Sequence, residues 1–318
     1  MIPGLLGLHH VTATVDQAQP DLDFCLGVLG LRLVKQTVNF DNHRVFHFYY
    51  GDRRGAPGTI WTTFPYHGQG VRVGTIGAGQ VVSTAFSVPV ASLPWWQDRL
   101  AAAGVALLAT DARPDDAPRL RLHDPSGLVM ELVGSEQDER APWTNGGVGE
   151  EQAIRGLHSV ALHVHDAGPT LDFLHEVLGC TVHHGDGDAA VVDVGRGGPG
   201  ARLEVRSGGG VPRGINGIGT VHHVALAIGS EDEQAALREA LVLLGVEVTP
   251  VRDRQYFRSI YFREPGGVLI EVATVDPGFT WDEPLDALGT SLRLPSWQEA
   301  DRAAIAAGLP PIRVSPAR

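Results

Sequence analysis

The chain has 318 residues, more than one compact core usually holds, and its 43% hydrophobic and 19% charged residues describe a globular protein and not a disordered one. A formal net charge of −12 opposes polyanions, so nucleic acid and anionic lipid are excluded as favoured partners. The apolar runs are strand-length, so no membrane span is expected; the start MIPGLLGLHH lacks the basic opening and long apolar core of a signal peptide, which predicts the cytoplasm.

In chain order, the first predicted element is the strand GLHHVTATV from Gly7, followed by the helical stretch LDFCLGVLGLR from Leu22. VVSTAFSV from Val81 precedes the helix LPWWQDRLAAAG, and the hairpin HDPSGLVMELV closes that unit around a Pro–Gly turn. After the polar, Gly-rich segment 136–153, GLHSVALHV from Gly156 leads into LDFLHEVLGCT, which matches the first helix nearly residue for residue. The glycines 208–210 form another joint, and TVHHVALAI from Thr220 leads into DEQAALREALVLLG and three strand-like runs, VEVTPV, YFRSIYFRE and VLIEVATV. Each helix is expected to be followed by three strands. The pattern is an α+β fold of four βαβββ modules, 5–66 and 79–135 in an N-terminal half (1–135), 154–207 and 218–275 in a C-terminal half (154–275). Segment 136–153 reads as the linker, and the tail 276–318, with Trp281, Trp297 and a short helix at SWQEADRAAIAAG, as a cover for the core. Cys25 and Cys180 sit in helix-to-strand segments and read as buried packing residues.

The 14 histidines are the unusual count. Aligning the four first strands puts His10 and His223 in one slot, with Ser83 and Ser159 in the other two modules. Aligning the last strands gives a second slot, Thr62, Glu131, Glu204 and Glu271. Glu271 interrupts the apolar run VLIEVA, where a carboxylate is costly unless paired or metal-bound. Two imidazoles and one carboxylate leave coordination positions open, which favours Fe(II), with Mn(II) as the alternative. A metal shared by His10, His223 and Glu271 requires modules 1 and 4 to pack together, leaving 2 and 3 as a metal-free pair in which Glu131 and Glu204 are remnants or structural residues. His183 and His184 precede a turn-like GDGD and are expected to face water.

The stretches LHHVTATV, VKQTVNFD, HFYYGD, PGTIWTTFPY, VHHVALAI and, most specifically, DRQYFRSIYFREPGGVLIEVA (Asp253 to Ala273) resemble the vicinal oxygen chelate superfamily, and within it the ring-cleaving dioxygenases that open hydroquinones. The resemblance spans nearly the whole chain. It implies two vicinal-oxygen-chelate-type domains of curved mixed sheet with flanking helices, metal ligands at His10, His223 and Glu271, and surrounding catalytic residues at His9, Thr12, His222, Arg254 and Tyr261. Thr12 shares a strand face with His10, and Tyr261 and Glu271 flank the EPGG turn as near cross-strand neighbours. His9 and His222 point away from the site in an ideal strand, so a bulge, strand-end twist or inter-module cleft has to bring them in.

The implied activity is Fe(II)-dependent cleavage of a para-diol aromatic with both atoms of O2 inserted; the partners are that small aromatic diol and O2, with no nucleic acid or membrane and with room for a homo-oligomer. Two alternatives stand beside it. A glyoxalase-like isomerase or lyase commonly uses two His and two Glu, and Thr62 argues against it; a small-molecule-sequestering resistance protein needs no metal triad.

Overall fold

The computed structural model describes residues 4–109, 117–184, 189–208 and 210–314. The expected turn at 185–188 and the middle of the 208–210 joint lie outside the described residues. The β-branched, apolar runs form the strands β1 (Gly7–Val15), β2 (Arg32–Asn39), β3 (Asn42–Gly51), β4 (Ile60–Pro65), β5 (Gln80–Val88), β6 (Arg119–His123), β7 (Val129–Gly134), β8 (Gly156–Val164), β9 (Thr181–His184), β10 (Ala189–Asp193), β11 (Arg202–Ser207), β12 (Thr220–Ile228), β13 (Arg252–Asp253), β14 (Arg258–Arg263) and β15 (Leu269–Thr274). The helices are α1 (Ala18–Leu22), α2 (Leu93–Ala102), α3 (Ala167–Asp172), α4 (Glu231–Leu243) and α5 (Arg302–Gly308). The matching sequences LDFCLGV and LDFLHEV fold alike: α1 and α3 each continue as a wider π-helical turn, Asp23–Val28 and Phe173–Val177.

The strands assemble two mixed sheets, an eight-stranded one in the order β13-β14-β15-β12-β1-β4-β3-β2 and a seven-stranded one in the order β6-β7-β5-β8-β11-β10-β9. Modules 1 and 4 therefore build one sheet and modules 2 and 3 the other, joined at the centre by the antiparallel pairs β1–β12 and β5–β8. The outer modules pair with each other, as the distribution of histidines requires. Two expected strands fall short. VEVTPV is not a strand: beside β14 only the two-residue β13 pairs as a strand, while Thr249 exchanges backbone and side-chain hydrogen bonds with Tyr261 and Pro250 has no N–H to offer a ladder. In module 2 the described residues of the run after α2 contribute a single bridge, Leu107 to Leu122.

One hydrophobic core runs across both sheets, with Trp61 of β4 edge-on to Phe86 of β5 at 6.2 Å between ring centroids. The sheets approach closely where Leu8 N–H donates to Gly200 O and Leu157 N–H donates to Gly58 O. Gly200 lies at φ +81°, and a Cβ there would stand 2.7 Å from the Arg140 guanidinium, which donates to Gly58 O and Leu157 O. Both cysteines are buried and free.

The tail covers the outer edge of the first sheet along β2. Val38, Leu294 and Ile305 form a small core of their own. Lys35 of β2, fully buried, donates to Phe279 O at 3.2 Å, to Asp282 Oδ1 at 2.5 Å and to Glu283 Oε2. Trp297 packs edge-on against Phe40. Among the described residues no helix is long and apolar enough to cross a membrane.

Candidate metal centre

The site begins with register. Along β1–β12, Leu8 faces Leu226 and His10 faces Ala225, so His9 is an extra residue in β1; Thr12 faces His223 and Ala13 faces Val221, so His222 is an extra residue in β12. Each His-His dipeptide thus spans a β-bulge. A bulge breaks the strict alternation of side chains, which lets both members of a dipeptide reach one side of the sheet. The rings touch accordingly: His9 Nδ1 lies 2.8 Å from His10 Nδ1, and His222 Nδ1 lies 2.7 Å from His223 Nδ1. The parallel ladders repeat a second register, Thr12 beside Thr62, Ala225 beside Glu271, Ala85 beside Glu131 and Ala161 beside Glu204. In all four modules the second-slot residue faces the position two beyond the first slot, as the sequence alignment anticipates.

The tertiary fold brings His10, His223 and Glu271 together, with one candidate ligand atom from each lying within 4.8 Å of the others. His223 Nε2 and His10 Nε2 stand 2.8 and 3.3 Å from Glu271 Oε2 and 3.2 Å from each other. All three side chains are buried, Glu271 completely. Although both imidazoles are near, Glu271 Oε2 makes no hydrogen bond of acceptable angle. A buried carboxylate oxygen left so is costly, and a divalent cation is what removes the cost. The donor set of two imidazoles and one carboxylate fits Fe(II) or Mn(II). The other carboxylate oxygen, Oε1, accepts a short hydrogen bond from Ser259 Oγ of β14.

The electrostatics agree with a cation site. Burial pushes Glu271 up, but the neighbouring His10 and His223 outweigh it and hold the carboxyl well below its usual range. His223 is pushed down, by burial first and against the pull of Glu271. His9 falls to about 3 through burial and the neighbouring His10, and His222 to about 3 through burial and His223. Each is a neutral imidazole at neutral pH. A neutral ring can accept at Nδ1 the proton of the adjacent His10 or His223 Nδ1, which leaves Nε2 of that residue as the lone pair facing Glu271.

A cavity of about 250 Å³ opens onto these three side chains. Tyr261, directly across from Glu271 in the β14–β15 ladder, stands on one wall with its ring 5.7 Å from that of His223. Arg254 Nε donates to Tyr261 Oη at 3.1 Å, and Arg254 Nη1 reaches Asp41 Oδ2 at 3.2 Å. Burial and the Glu271 charge raise the Tyr261 phenol above its ordinary value, so it keeps its proton. Arg254 remains charged: burial works against the cation, and Tyr261, Asp41 and Glu271 outweigh it. Phe257 packs against His9 and His10 at 4.9 and 5.2 Å. It follows a tight turn in which Gln255 takes φ 67° and Tyr256 N–H donates to Arg254 O.

Thr12 lines the cavity, accepting from Thr62 Oγ1 at 2.9 Å. Thr62 also meets His47 Nε2 at 2.9 Å, and the His47 ring lies between Tyr49 and Phe64 at 4.0 and 4.1 Å. His47, Asp41, Phe257 and Ser259 are the residues the sequence reading missed. His47 had a signal: it stands two residues before Tyr49, the cross-strand partner of Thr62, as Ser259 stands two before Tyr261, the partner of Glu271.

The second sheet keeps the geometry without the triad. Val82 and His158 occupy its bulges, and His158 Nδ1 meets Ser159 Oγ at 3.1 Å. Arg119, in the register position of Ser259, puts Nη1 3.0 Å from Glu131 Oε2 and 3.6 Å from Glu204 Oε1, while Arg206 Nη2 donates to Glu204 Oε2 at 2.7 Å. Guanidinium groups neutralise these buried carboxylates, which act structurally. His183 is exposed and pairs with Asp193 Oδ2 at 2.9 Å. Among the described residues, His10, His223 and Glu271 form the metal-type cluster.

Comparison with known proteins agrees with this architecture. The profile described as Glyoxalase/Bleomycin resistance protein/Dioxygenase superfamily matches residues 156–272. A Bacillus subtilis (strain 168) protein provisionally named ring-cleaving dioxygenase MhqO is 39% identical over 97% of both chains. The chlorohydroquinone/hydroquinone 1,2-dioxygenase of Sphingobium indicum is 35% identical over 91% of both chains. The crystal structure of a provisionally named dioxygenase from Bacillus subtilis superposes with a TM-score of 0.93 at 38% identity, covering 98% of this chain and 99% of the other. Glyoxalase I of Zea mays shares the fold alone, with a TM-score of 0.62 at 14% identity over 84% of this chain and 92% of that one. On the strength of those relatives, aligned along almost its full length, and of the paired mixed sheets, the chain belongs to the glyoxalase/bleomycin resistance protein/dioxygenase superfamily.

Proposed function

We propose that this protein is an Fe(II)-dependent ring-cleaving dioxygenase acting on a hydroquinone-like para-diol. The observation that carries the reading is a buried two-His, one-Glu cluster at the floor of an aromatic-walled cavity. The fourth slot is Thr62, whose hydroxyl is engaged with Thr12 and His47. Three protein donors leave room for substrate and oxygen, whereas a four-donor isomerase site would put a carboxylate at Thr62. The names of the full-length relatives support the same class.

In this reading His10, His223 and Glu271 hold the iron, which when bound supplies the electron path between diol and dioxygen. Ser259 fixes one oxygen of Glu271 so that the other faces the histidines. His9 and His222 fix the ring orientation and tautomer of the two imidazole ligands. Tyr261 Oη, holding its own proton, donates to the diol oxygen remote from the ligands, and the Arg254 guanidinium stabilises negative charge there. A para-diol cannot chelate through both hydroxyls, so this second anchor matters more than it would for a catechol. Phe257, Tyr49 and Phe64 form apolar walls that pack on the ring and exclude water. The overall step consumes one diol and one O2 and yields a ring-opened product containing both oxygen atoms, with no further reductant.

The test is anaerobic purification, Fe(II) loading with metal content measured in the same sample, and oxygen uptake with hydroquinone, methylhydroquinone and catechol. Stoichiometric uptake with a ring-opened product, and para-diols preferred over catechol, is expected. No uptake by protein holding one iron per chain would overturn the reading.

A further inference from the structure

Among the described residues lining the cavity Arg254 is the sole Lys or Arg, and it is already engaged. Its Nη1 faces Asp41 Oδ2 at 3.2 Å and its Nε faces Tyr261 Oη at 3.1 Å. Asp41 lines the same cavity from the β2–β3 hairpin tip, and its other oxygen lies 3.6 Å from Arg252 Nη1. Module 1 thus delivers a carboxylate across the cavity to Arg254 of module 4, with Arg252 of the same module on its outer side. Its side chain is 60% exposed, against 19% for Arg254, so the pair stands at the mouth with the carboxylate outermost.

From this arrangement we infer that Asp41 is a specificity-determining residue: it restricts the cavity to diols with uncharged ring substituents and turns away diols carrying a ring carboxylate. The inference rests on the reading of the cavity as a para-diol site. A carboxylate on the ring needs a free cation partner; Arg254 is shared with Asp41, and the incoming anion meets Asp41 itself. Two like charges several ångströms apart in a half-wet site change affinity by between roughly threefold and a hundredfold. The net charge of −12 adds a weaker, screened bias in the same direction. The discrimination is thus built by repulsion at the rim, leaving the hydrogen bonds to the diol itself unchanged in kind.

The test is anaerobic titration of the metal-loaded protein with hydroquinone and with 2,5-dihydroxybenzoate, reading the ratio of the two Kd values. Wild type is expected to favour hydroquinone, and Asp41→Asn, which keeps an acceptor for Arg254 and removes the charge, is expected to narrow the ratio by about tenfold. Arg252→Gln, which leaves the Asp41 charge less neutralised, is expected to hold or widen it. Equal affinities in wild type, an unchanged ratio in Asp41→Asn, or binding of neither diol would overturn the inference. Hydroquinone binding with the expected ratios but without oxygen uptake would count against the dioxygenase reading alone.

Discussion

Ser259→Ala tests how the carboxylate of Glu271, the proposed metal ligand, is held. Ser259 is completely buried, and its hydroxyl donates to Glu271 Oε1, the oxygen turned away from the histidines. The substitution removes one oxygen atom and leaves Oε1 buried with a donor lost. A hydrogen bond to a charged group contributes about 1.5–3 kcal/mol, so the protein should lose stability of that order. The more specific effect is on the metal. Removing a group that orients a ligand typically lowers metal affinity about 10–100-fold, which corresponds to about 1.4–2.7 kcal/mol. The assay is competition for Mn(II) or Fe(II) against a chelator of known affinity, run beside denaturant unfolding of the metal-free protein. Metal affinity should fall at least about tenfold while His10 and His223 still retain some metal. A variant with wild-type metal affinity but reduced stability would refute the argument, because Ser259 would then support the fold without orienting Glu271.

Arg254→Lys keeps the charge and loses the planar fork; with metal content unchanged, kcat/KM for the diol should drop by roughly 10–100-fold in an oxygen-uptake assay. Asp21, buried and accepting from Tyr50 and Thr63, is pushed up to about 6 by burial, and Asp124 to about 7 by burial and the nearby Asp21 charge. Both bind a proton more tightly folded than unfolded. Their contribution is therefore present at low pH and is lost as pH rises from about 4 through about 6 and 7, for Asp21 about 3 kcal/mol at most. Asp21→Asn should flatten this decline in unfolding free energy between pH 4 and pH 7, and an unaltered slope would refute the assignment. Lys35→Met leaves Glu283 and its neighbour Asp282 without their buried cation; denaturant unfolding should show a loss of about 3–5 kcal/mol, and an unchanged midpoint would mean that the tail is not locked at this point.

Repetition made much of the molecule legible. Because one supersecondary unit is used four times, equivalent positions can be compared without any structure. That comparison isolates His10, His223 and Glu271, and through their uneven distribution it implies the pairing of outer modules that the sheet order shows. The Tyr261–Glu271 register follows from a short hairpin, where a local turn sets the alignment. The missing strand at VEVTPV has a different origin: its apolar pattern is strand-like, but Pro250 lacks a donor and Tyr261 N–H donates to the Thr249 side chain in place of a ladder bond.

Other features depend on contacts between residues far apart in the chain. Whether His9 points toward or away from His10 depends on a bulge, and the bulge exists only against β12, about two hundred residues later in the chain. Ser259 and His47 matter because of what the neighbouring strand presents, Glu271 to the one and Thr62 to the other. Arg119 is unremarkable in sequence, yet its reach is what puts a guanidinium between Glu131 and Glu204. Asp41 and Arg254 meet across more than two hundred residues, and Lys35 finds Asp282 and Glu283 only because the tail folds back over β2. The repeating unit, its strand periodicity and the candidate triad of His10, His223 and Glu271 can be read from the chain alone, because these are carried by local pattern. The bulges, the buried charge pairs and the cavity walls come from the folded arrangement, because their energies come from neighbours that the chain order keeps apart.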